Sequence, residues 1–420
     1  MAFIEVIGGR HLQGEIPIQG SKNAVLPILA ASILHNGITR IKNCPKIIDV
    51  YHMIKLLESI GCIVTWEQDG LTIDATEMNY SSVDKKYVSS MRSSIILLGA
   101  LLGRNKNVTI SYPGGCAIGA RPIDLHLKAI KEMNVQVIHS EDIIFCSTSH
   151  LTGAKISLAS PSVGATENVI LAAVKADGIT IIDNAAMEPE ITELCLFLVK
   201  MGARISGAGS KTIMIEGVKE FRDVEYTLVS DRIVMGTYLA AVAGAGGSVT
   251  LRGNCCKENE TVINTLRTMG CRIGVGRDYV NICSSQQPRA VPLIETETYP
   301  GFPTDMQSQI MSVLTIASGT SLIVENIFES RYKTVKELAK MGADIYVSGK
   351  AAQVNGVAAL TGCDVRAYDL RGGAGLVIAG LIANGTSRIS GIEYIERGYE
   401  DISKDLANLG ADIRKVESSL

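Results

Sequence analysis

Ten cysteines are spread along this 420-residue chain, and one of them has unusual neighbours. The run Ser111-Tyr-Pro-Gly-Gly-Cys116-Ala-Ile-Gly-Ala-Arg121-Pro-Ile-Asp124-Leu-His126 sets Cys116 on a glycine pair, with an arginine downstream. A free cysteine is ordinarily a small apolar core filler. On a glycine loop near a guanidinium it becomes a chemical group instead. A thiol with an ordinary pKa of ~8.5 is mostly protonated at neutral pH, so it can donate a proton or, once ionised, act as a nucleophile. The three glycines and two prolines of this segment let loop 111–124 leave the surface and move as a lid.

The cations that would accompany such a thiol recur at definite places. Six alanine- and leucine-rich stretches, at 24–37, 93–103, 165–178, 233–247, 306–319 and 372–385, each close on glycine and run into a short β-branched segment. Glycine just past an apolar helix accepts the left-handed conformation without a Cβ clash, so each stretch predicts a buried helix with its stop. At or near their entrances stand Lys22 with Asn23, Arg92, Ser162 with Val163 and Gly164, Asp231 with Arg232, Asp305, and Arg371. A second, amphipathic helix follows each one and ends on a recurring pair: Ile60-Gly61, Met133-Asn134, Met201-Gly202, Met269-Gly270, Met341-Gly342 and Leu409-Gly410. The entrances of these second helices carry Cys116 with Arg121, Glu188 with Glu190, Arg331 with Lys333, and Arg397. Helix N-termini offer free N–H groups and a positive dipole end, arginines add bidentate forks, and Lys22 adds a point charge. Gathered in one cleft, they would hold a small, multiply charged acid.

The elements that must gather them form a sixfold repeat. Successive closing pairs are spaced 68 to 73 residues apart, and short alternating strands follow each second helix, as at 62–66 and 71–74 across Asp69-Gly70. Each copy reads strand, helix, strand, helix, strand, strand. A unit of this size is a small α/β subdomain rather than one turn of a thin solenoid. Six units divide most simply into two lobes of three, with the break near 229–230 and a ligand cleft between them.

Composition excludes the main alternatives. Hydrophobic residues make up 46% and charged residues 20%, with 11 prolines, which is the balance of a globular chain. A formal charge of −3 supplies no global field for nucleic acid or an anionic membrane, and one Trp with six Phe gives no stacking platform. Apolar runs such as 95–103 fall short of the ~20 residues a bilayer span needs. The first residues carry no secretory pattern, so the expected location is cytoplasmic. No C-x-x-C pair and no H-E-x-x-H pattern occurs, which predicts mostly reduced, buried cysteines and neither metal nor cofactor. Gly207-Ala-Gly-Ser-Lys211-Thr lacks the first glycine of a phosphate loop and reads as a hairpin.

Several stretches together resemble the enolpyruvyl transferase family over the full length. They are Gly20-Ser-Lys22-Asn23-Ala, Pro113-Gly-Gly-Cys116-Ala-Ile-Gly-Ala-Arg121-Pro122-Ile123-Asp124-Leu125-His126, Ser162-Val163-Gly164-Ala-Thr-Glu, Phe302-Pro-Thr-Asp305-Met-Gln, Asp369-Leu-Arg371 and Glu396-Arg397-Gly-Tyr-Glu400. The resemblance implies an inside-out α/β barrel pair built from six such repeats, with helices buried inside each lobe. Residues 1–20 and 230–420 would form one lobe, completed by the N-terminal strand. Residues 21–229 would form the other, carrying the cysteine lid.

The implied reaction adds the 3-hydroxyl of UDP-N-acetylglucosamine to C2 of phosphoenolpyruvate and expels phosphate, the first committed step of peptidoglycan precursor synthesis. Carried over residue by residue, Cys116, Asp305, Lys22 and Arg397 are the catalytic set, with Cys116 as proton donor to C3 and Asp305 as base. Lys22, Asn23, Arg121, Arg331, Arg371 and Arg397 would hold phosphoenolpyruvate. Asn23, Arg92, Arg121, Pro122, Ile123, Asp124, Leu125, Ser162, Val163, Gly164, Asp305 and Ile327 would line the nucleotide-sugar site. Two alternatives stay open: a relative acting on shikimate 3-phosphate, which lacks the Gly-Gly-Cys lid, and a non-catalytic protein that binds the nucleotide sugar.

Overall fold

The computed structural model describes residues 2–80, 82–83, 91–114, 119, 122–140, 142–285 and 287–417. The described residues fall into two compact lobes: those of Met1–Gln19 and Ser230–Leu420, together with Gly119, form one, and those of Gly20–Cys116 and Ala120–Val229 the other. Each lobe is built around three apolar helices. In the lobe of Gly20 these are Lys22–Ala31, Leu97–Arg104 and Val163–Ala173. In the lobe of Ser230 they are Arg232–Ala245, Gln307–Leu314 and Leu370–Ile382. All residues of 24–31, 165–173, 307–314 and 371–381 are buried; the helix of 307–314 is not apolar on every side as expected, since it buries Gln307, Ser308, Gln309 and Ser312 and satisfies them in part by hydrogen bonds such as those of Gln309. In the lobe of Ser230 the three helices pack on one another, and in the lobe of Gly20 Leu97–Arg104 packs on both of the others. The second helices, such as Ile48–Ser59 and Pro189–Met201, alternate buried and exposed positions along their length.

Six four-stranded sheets cover these helices, three in each lobe. In a typical repeat the leading strand Lys155–Ser157 runs parallel to Ile179–Asp183, the strand after the buried helix. That strand pairs antiparallel with Thr212–Glu216, and Arg204–Ser206 closes the far edge. The α/β class and the sixfold repeat expected from the sequence are both present.

Two leading strands do not stay with the helix they precede. Leu12–Pro17, ahead of helix Lys22–Ala31, pairs parallel with Gly247–Arg252. Val224–Thr227, ahead of helix Arg232–Ala245, pairs parallel with Ile38–Lys42. Each therefore completes a sheet of one lobe while its own chain continues into the other. The sixth sheet is completed from the start of the chain. Phe3–Ile7 lies antiparallel between Thr386–Ser390 and Asp412–Val416, filling the position that a hairpin strand fills elsewhere.

The closing pairs of the second helices share one backbone feature. Gly61, Asn134, Gly202, Gly270, Gly342 and Gly410 all have positive φ, between 63° and 120°, so all six helices stop through the same left-handed residue. Asparagine is the side chain that best tolerates this in glycine's absence. The glycine at 103 behaves differently from the stop expected there. It lies inside helix Leu97–Arg104, where an added Cβ would stand 2.7 Å from Leu34 and 3.1 Å from the Leu171 carbonyl. It serves close packing rather than termination. Of the nine described cysteines, seven are buried and all nine are free.

Candidate active site

In the lobe of Ser230, the buried helix Leu370–Ile382 starts on Asp369, whose carboxylate accepts from the Arg371 and Gly372 backbone N–H groups at 3.0 and 2.9 Å. This cap fixes the start of the helix and, two residues on, the root of the Arg371 side chain. Arg371 is 3% exposed, and its Nη2 donates to Asp305 Oδ2 at 3.0 Å. Arg331 is equally buried, and its Nη2 donates to Asp305 Oδ1. Its Nη1 lies 3.8 Å from Asp369 Oδ1. Asp305, in the 3₁₀ turn Thr304–Met306 ahead of its helix, is thus held between two guanidinium forks. Two buried cations facing two carboxylates satisfy the demand that buried charge be paired. Burial opposes the charge on Arg371, but Asp305, with Tyr399 and Asp231, overcomes it and holds the guanidinium above its ordinary value.

A buried glutamate that the sequence did not single out organises the neighbourhood. Glu325, 2% exposed, accepts from Thr296 and Thr304 hydroxyls and from the Ile327 and Phe328 backbone N–H groups, all at 2.9 to 3.0 Å. Thr304 Oγ1 in turn accepts from Arg331 Nε at 3.2 Å. The loop bearing Ile327 and the orientation of Arg331 therefore share one anchor. Arg397 sits in the turn after helix Ile392–Ile395, partly exposed. That turn is clamped by the Gln19 amide, which donates to the Gly398 carbonyl at 3.2 Å and accepts from the Glu400 N–H at 2.9 Å.

In the lobe of Gly20, Lys22 opens the first buried helix behind its Ser21 cap and ion-pairs with Asp49 at 3.0 Å. The Asp49 carboxylate is fully buried in the first turn of helix Ile48–Ser59. Asn23 is partly buried beside Lys22. Arg92 begins the 3₁₀ turn Arg92–Ile96, which packs against helices Lys22–Ala31 and Val163–Ala173. Ser162 caps the latter helix by accepting from Ala165 N–H at 3.4 Å. Gly164 lies so close to His126 that a Cβ there would be 2.8 Å from the imidazole. Asn168 donates to His126 Nδ1 at 2.8 Å and accepts from Gly99 N–H at 2.7 Å. Ser162, Val163 and Gly164 are thereby brought beside helix Asp124–Lys131, which Pro122 and Ile123 lead into and which carries Asp124 and Leu125. Cys116 and Arg121 lie outside the described residues.

Of the residues singled out from the sequence, the structure brings Arg331 and Arg371 together on Asp305, while the groups that orient them were not singled out. Asp49 carried a usable signal: it is an acid in the first turn of a second helix, as Glu190 is two repeats later. Asp369 stands in the family-like stretch Asp369-Leu-Arg371 but was given no role. Glu325 and Gln19 carried no signal, because their partners are fixed by tertiary packing alone. Among the described residues, no group of three or more His, Cys, Asp or Glu could hold a metal ion. No helix among them is long and apolar enough to cross a membrane.

The paired forks of Arg331 and Arg371 grip the planar carboxylate of Asp305 from two directions at once. Arg371 Nη1 is buried without a hydrogen-bond partner, so a donor remains for one more oxygen.

Comparison with known proteins places this arrangement in context. A sequence model for EPSP synthase (3-phosphoshikimate 1-carboxyvinyltransferase) matches residues 6–406. The chain is 50% identical over 416 residues to UDP-N-acetylglucosamine 1-carboxyvinyltransferase 2 of Caldanaerobacter subterraneus subsp. tengcongensis, covering 99% of this chain and 100% of the relative. It is 45% identical over 419 residues to UDP-N-acetylglucosamine 1-carboxyvinyltransferase 1 of Symbiobacterium thermophilum, covering 98% and 94%. Among solved structures, the enolpyruvyl transferase NikO from Streptomyces tendae superposes with a TM-score of 0.88 at 25% identity, covering 100% of this chain and 99% of that one. An EPSP synthase from Acinetobacter baumannii, at 16% identity and a TM-score of 0.76 over 99% and 100% of the two chains, shares the fold.

Proposed function

The chain belongs to the EPSP synthase family of enolpyruvyl transferases, and from that membership we propose that it transfers the enolpyruvyl group of phosphoenolpyruvate to the 3-hydroxyl of UDP-N-acetylglucosamine. The observation that carries the reading is the pair of buried arginines on Asp305, with one donor of Arg371 left over. A three-carbon acid needs such a fork for its carboxylate. Asp305 occupies it and yields both guanidiniums to a ligand that brings its own charge.

The chemistry follows in two steps. Asp305 takes the proton of the sugar hydroxyl as its oxygen bonds to C2, while Cys116 gives a proton to C3, so the double bond becomes a tetrahedral phosphate ketal. Loss of a proton from C3 and of the phosphate from C2 then restores the double bond as an enolpyruvyl ether. Lys22, Arg121 and Arg397 take the phosphate, and their charge is worth most as it departs. Arg331 and Arg371 take the carboxylate. Asn23, Arg92, Pro122, Ile123, Asp124, Leu125, Ser162, Val163, Gly164 and Ile327 serve the nucleotide sugar. On this reading the product is the first committed precursor of peptidoglycan, made in the cytoplasm, and the enzyme is a fosfomycin target.

The test is release of inorganic phosphate from purified protein given phosphoenolpyruvate and each acceptor separately. Phosphate should appear with UDP-N-acetylglucosamine and not with shikimate 3-phosphate, the substrate class for which the matching family model is described. Release with shikimate 3-phosphate alone would transfer the assignment to that branch. Binding of the nucleotide sugar with no release in either mixture would leave a binding protein.

A further inference from the structure

Three buried elements of the Ser230 lobe meet at one hydroxyl. Thr237, 1% exposed in helix Arg232–Ala245, has its Oγ1 2.8 Å from the Ile233 carbonyl, 2.8 Å from the Tyr399 hydroxyl and 3.1 Å from Gln309 Nε2. The proton positions are forced by the partners. A carbonyl only accepts, so the single Thr237 proton goes to Ile233, and both lone pairs of Oγ1 are left to accept. One takes an N–H of Gln309. The other takes the hydroxyl proton of Tyr399, whose own oxygen is then turned outward as an acceptor.

The two arms of this junction lead to the candidate site. The second N–H of Gln309 donates to the backbone carbonyl of Asp305 at 2.8 Å, and since that carbonyl can only accept, the amide cannot be flipped. Burial pushes the phenol of Tyr399, also 1% exposed, up, and the neighbouring Arg371 guanidinium offsets part of that rise. The turn that carries Tyr399 packs on Leu370, the residue before Arg371: a Cβ at Gly398 would stand 2.8 Å from the Leu370 side chain. Thr237 thus ties the backbone of Asp305 to the surroundings of Arg371, although it touches neither residue.

We propose that Thr237 is a positioning residue for phosphoenolpyruvate, holding Arg371 and Asp305 in register through Tyr399 and Gln309. The proposal rests on the assignment of Arg371 to the substrate carboxylate. Removing the hydroxyl leaves the Gln309 amide and the Tyr399 proton without a buried acceptor, and both must turn elsewhere.

The test compares Thr237→Val, which keeps the shape and loses the hydroxyl, with Thr237→Ser, which keeps the hydroxyl. In Thr237→Val the KM for phosphoenolpyruvate should rise about 10- to 100-fold, as expected for losing alignment of a charged hydrogen bond, while the KM for the nucleotide sugar stays within about twofold. Thr237→Ser should bring the KM for phosphoenolpyruvate back to within about threefold of the parent. A merely structural role would lower the melting temperature of both variants and move neither ratio. Tyr399→Phe removes one arm alone and guards against a valine variant that does not fold; it should give the same one-sided rise in KM.

Titrating phosphoenolpyruvate calorimetrically against the same proteins reads the comparison without turnover. Failure of phosphate release in the parent would strike the functional assignment, whereas equal phosphoenolpyruvate affinity in parent, valine and phenylalanine proteins would overturn the positioning role. A serine variant as impaired as valine would overturn it too.

Discussion

At the scale of single residues, ionisable groups withdrawn wholly or partly from water divide into those that are paired for a purpose and those that are simply costly. Asp405, half-buried, is of the second kind. Burial lifts its carboxyl above the usual value, and the Tyr238 hydroxyl, donating at 2.6 Å, offsets this only in part, while the charges of Asp401 and Glu400 add to the rise. A carboxyl raised on folding binds its proton more tightly in the native state. Stability therefore falls as pH climbs from the unfolded value of ~3.9 through the higher native one, and stays lower above it. Asp405→Asn keeps an acceptor for Tyr238 and removes the ionisation. The variant should melt above the parent at pH 7 and level with it near pH 3, and a difference independent of pH would refute the account. The cysteines allow a second check. Burial pushes the thiols of Cys62 and Cys195 up to about 12 and that of Cys146 up to about 11, so none is a thiolate at neutral pH. Brief maleimide labelling of the native protein at pH 7.5, read by peptide mass spectrometry, should leave these three unmodified and label all of them once the chain is unfolded. Early labelling of any of the three would contradict their place in the core.

At the scale of elements, composition was a good guide to which helices are buried and a poor guide to why particular glycines stand in them. Alanine, leucine and glycine crowd the first helix of most repeats, and that apolar pattern was legible because a helix with no polar face has nowhere to lie except inside; Gln307–Leu314, with Gln307, Ser308, Gln309 and Ser312, is the exception. The left-handed stops at Gly61, Gly202, Gly270, Gly342 and Gly410 were legible for a similar reason, since the constraint is local to the backbone. Gly99 and Gly103 were not, because what they avoid belongs to distant segments. A Cβ at Gly99 would stand 2.2 Å from the backbone oxygen of Asn168. Replacing glycine by alanine within a helix ordinarily gains up to ~1 kcal/mol in propensity. Here the obstacle is main chain, which cannot rotate aside, and overpacking costs roughly 1–3 kcal/mol or more. Gly99→Ala should therefore lower the urea midpoint clearly. Gly274→Ala, at a site with nothing within 4 Å of the added methyl and no positive φ, should leave it nearly unchanged. Equal midpoints for the two variants would mean that the helices Leu97–Arg104 and Val163–Ala173 are less closely packed than described. The candidate site divides along the same line. Lys22, Arg331 and Arg371 announced themselves by charge at a helix entrance, whereas Glu325, Gln19 and Thr237 act through partners far away in sequence, which only the folded chain supplies.

At the scale of the whole molecule, the repeats describe six similar subdomains, yet the pairing of strands makes the two lobes unequal in how they can be assembled. All twelve strands in the three sheets of the Gly20 lobe come from within residues 20–229. The other lobe draws two strands from the opposite end of the chain: Phe3–Ile7 sits between two partners in the sixth sheet, and Leu12–Pro17 forms an edge beside Gly247–Arg252. This was invisible to a reading of repeats, because a strand's sequence states that it will pair and not with whom. The consequence concerns folding. A chain begun at residue 230 would lack the middle strand of one sheet, leaving Thr386–Ser390 and Asp412–Val416 with their facing N–H and C=O groups unsatisfied over a buried helix. It would also lose Val6, fully buried against helix Leu370–Ile382, and with it the covering of the helix that carries Arg371. Residues 20–229 produced alone should therefore unfold in urea with one cooperative transition, since that lobe's strands are all local to it. Residues 230–420 alone should show no such transition, and should regain one when residues 1–19 are joined to position 420 through a flexible linker long enough to return to the sheet. Cooperative unfolding of 230–420 without that segment would show that the first nineteen residues are an ornament on a lobe already complete, and the dependence argued from the strand order would be wrong.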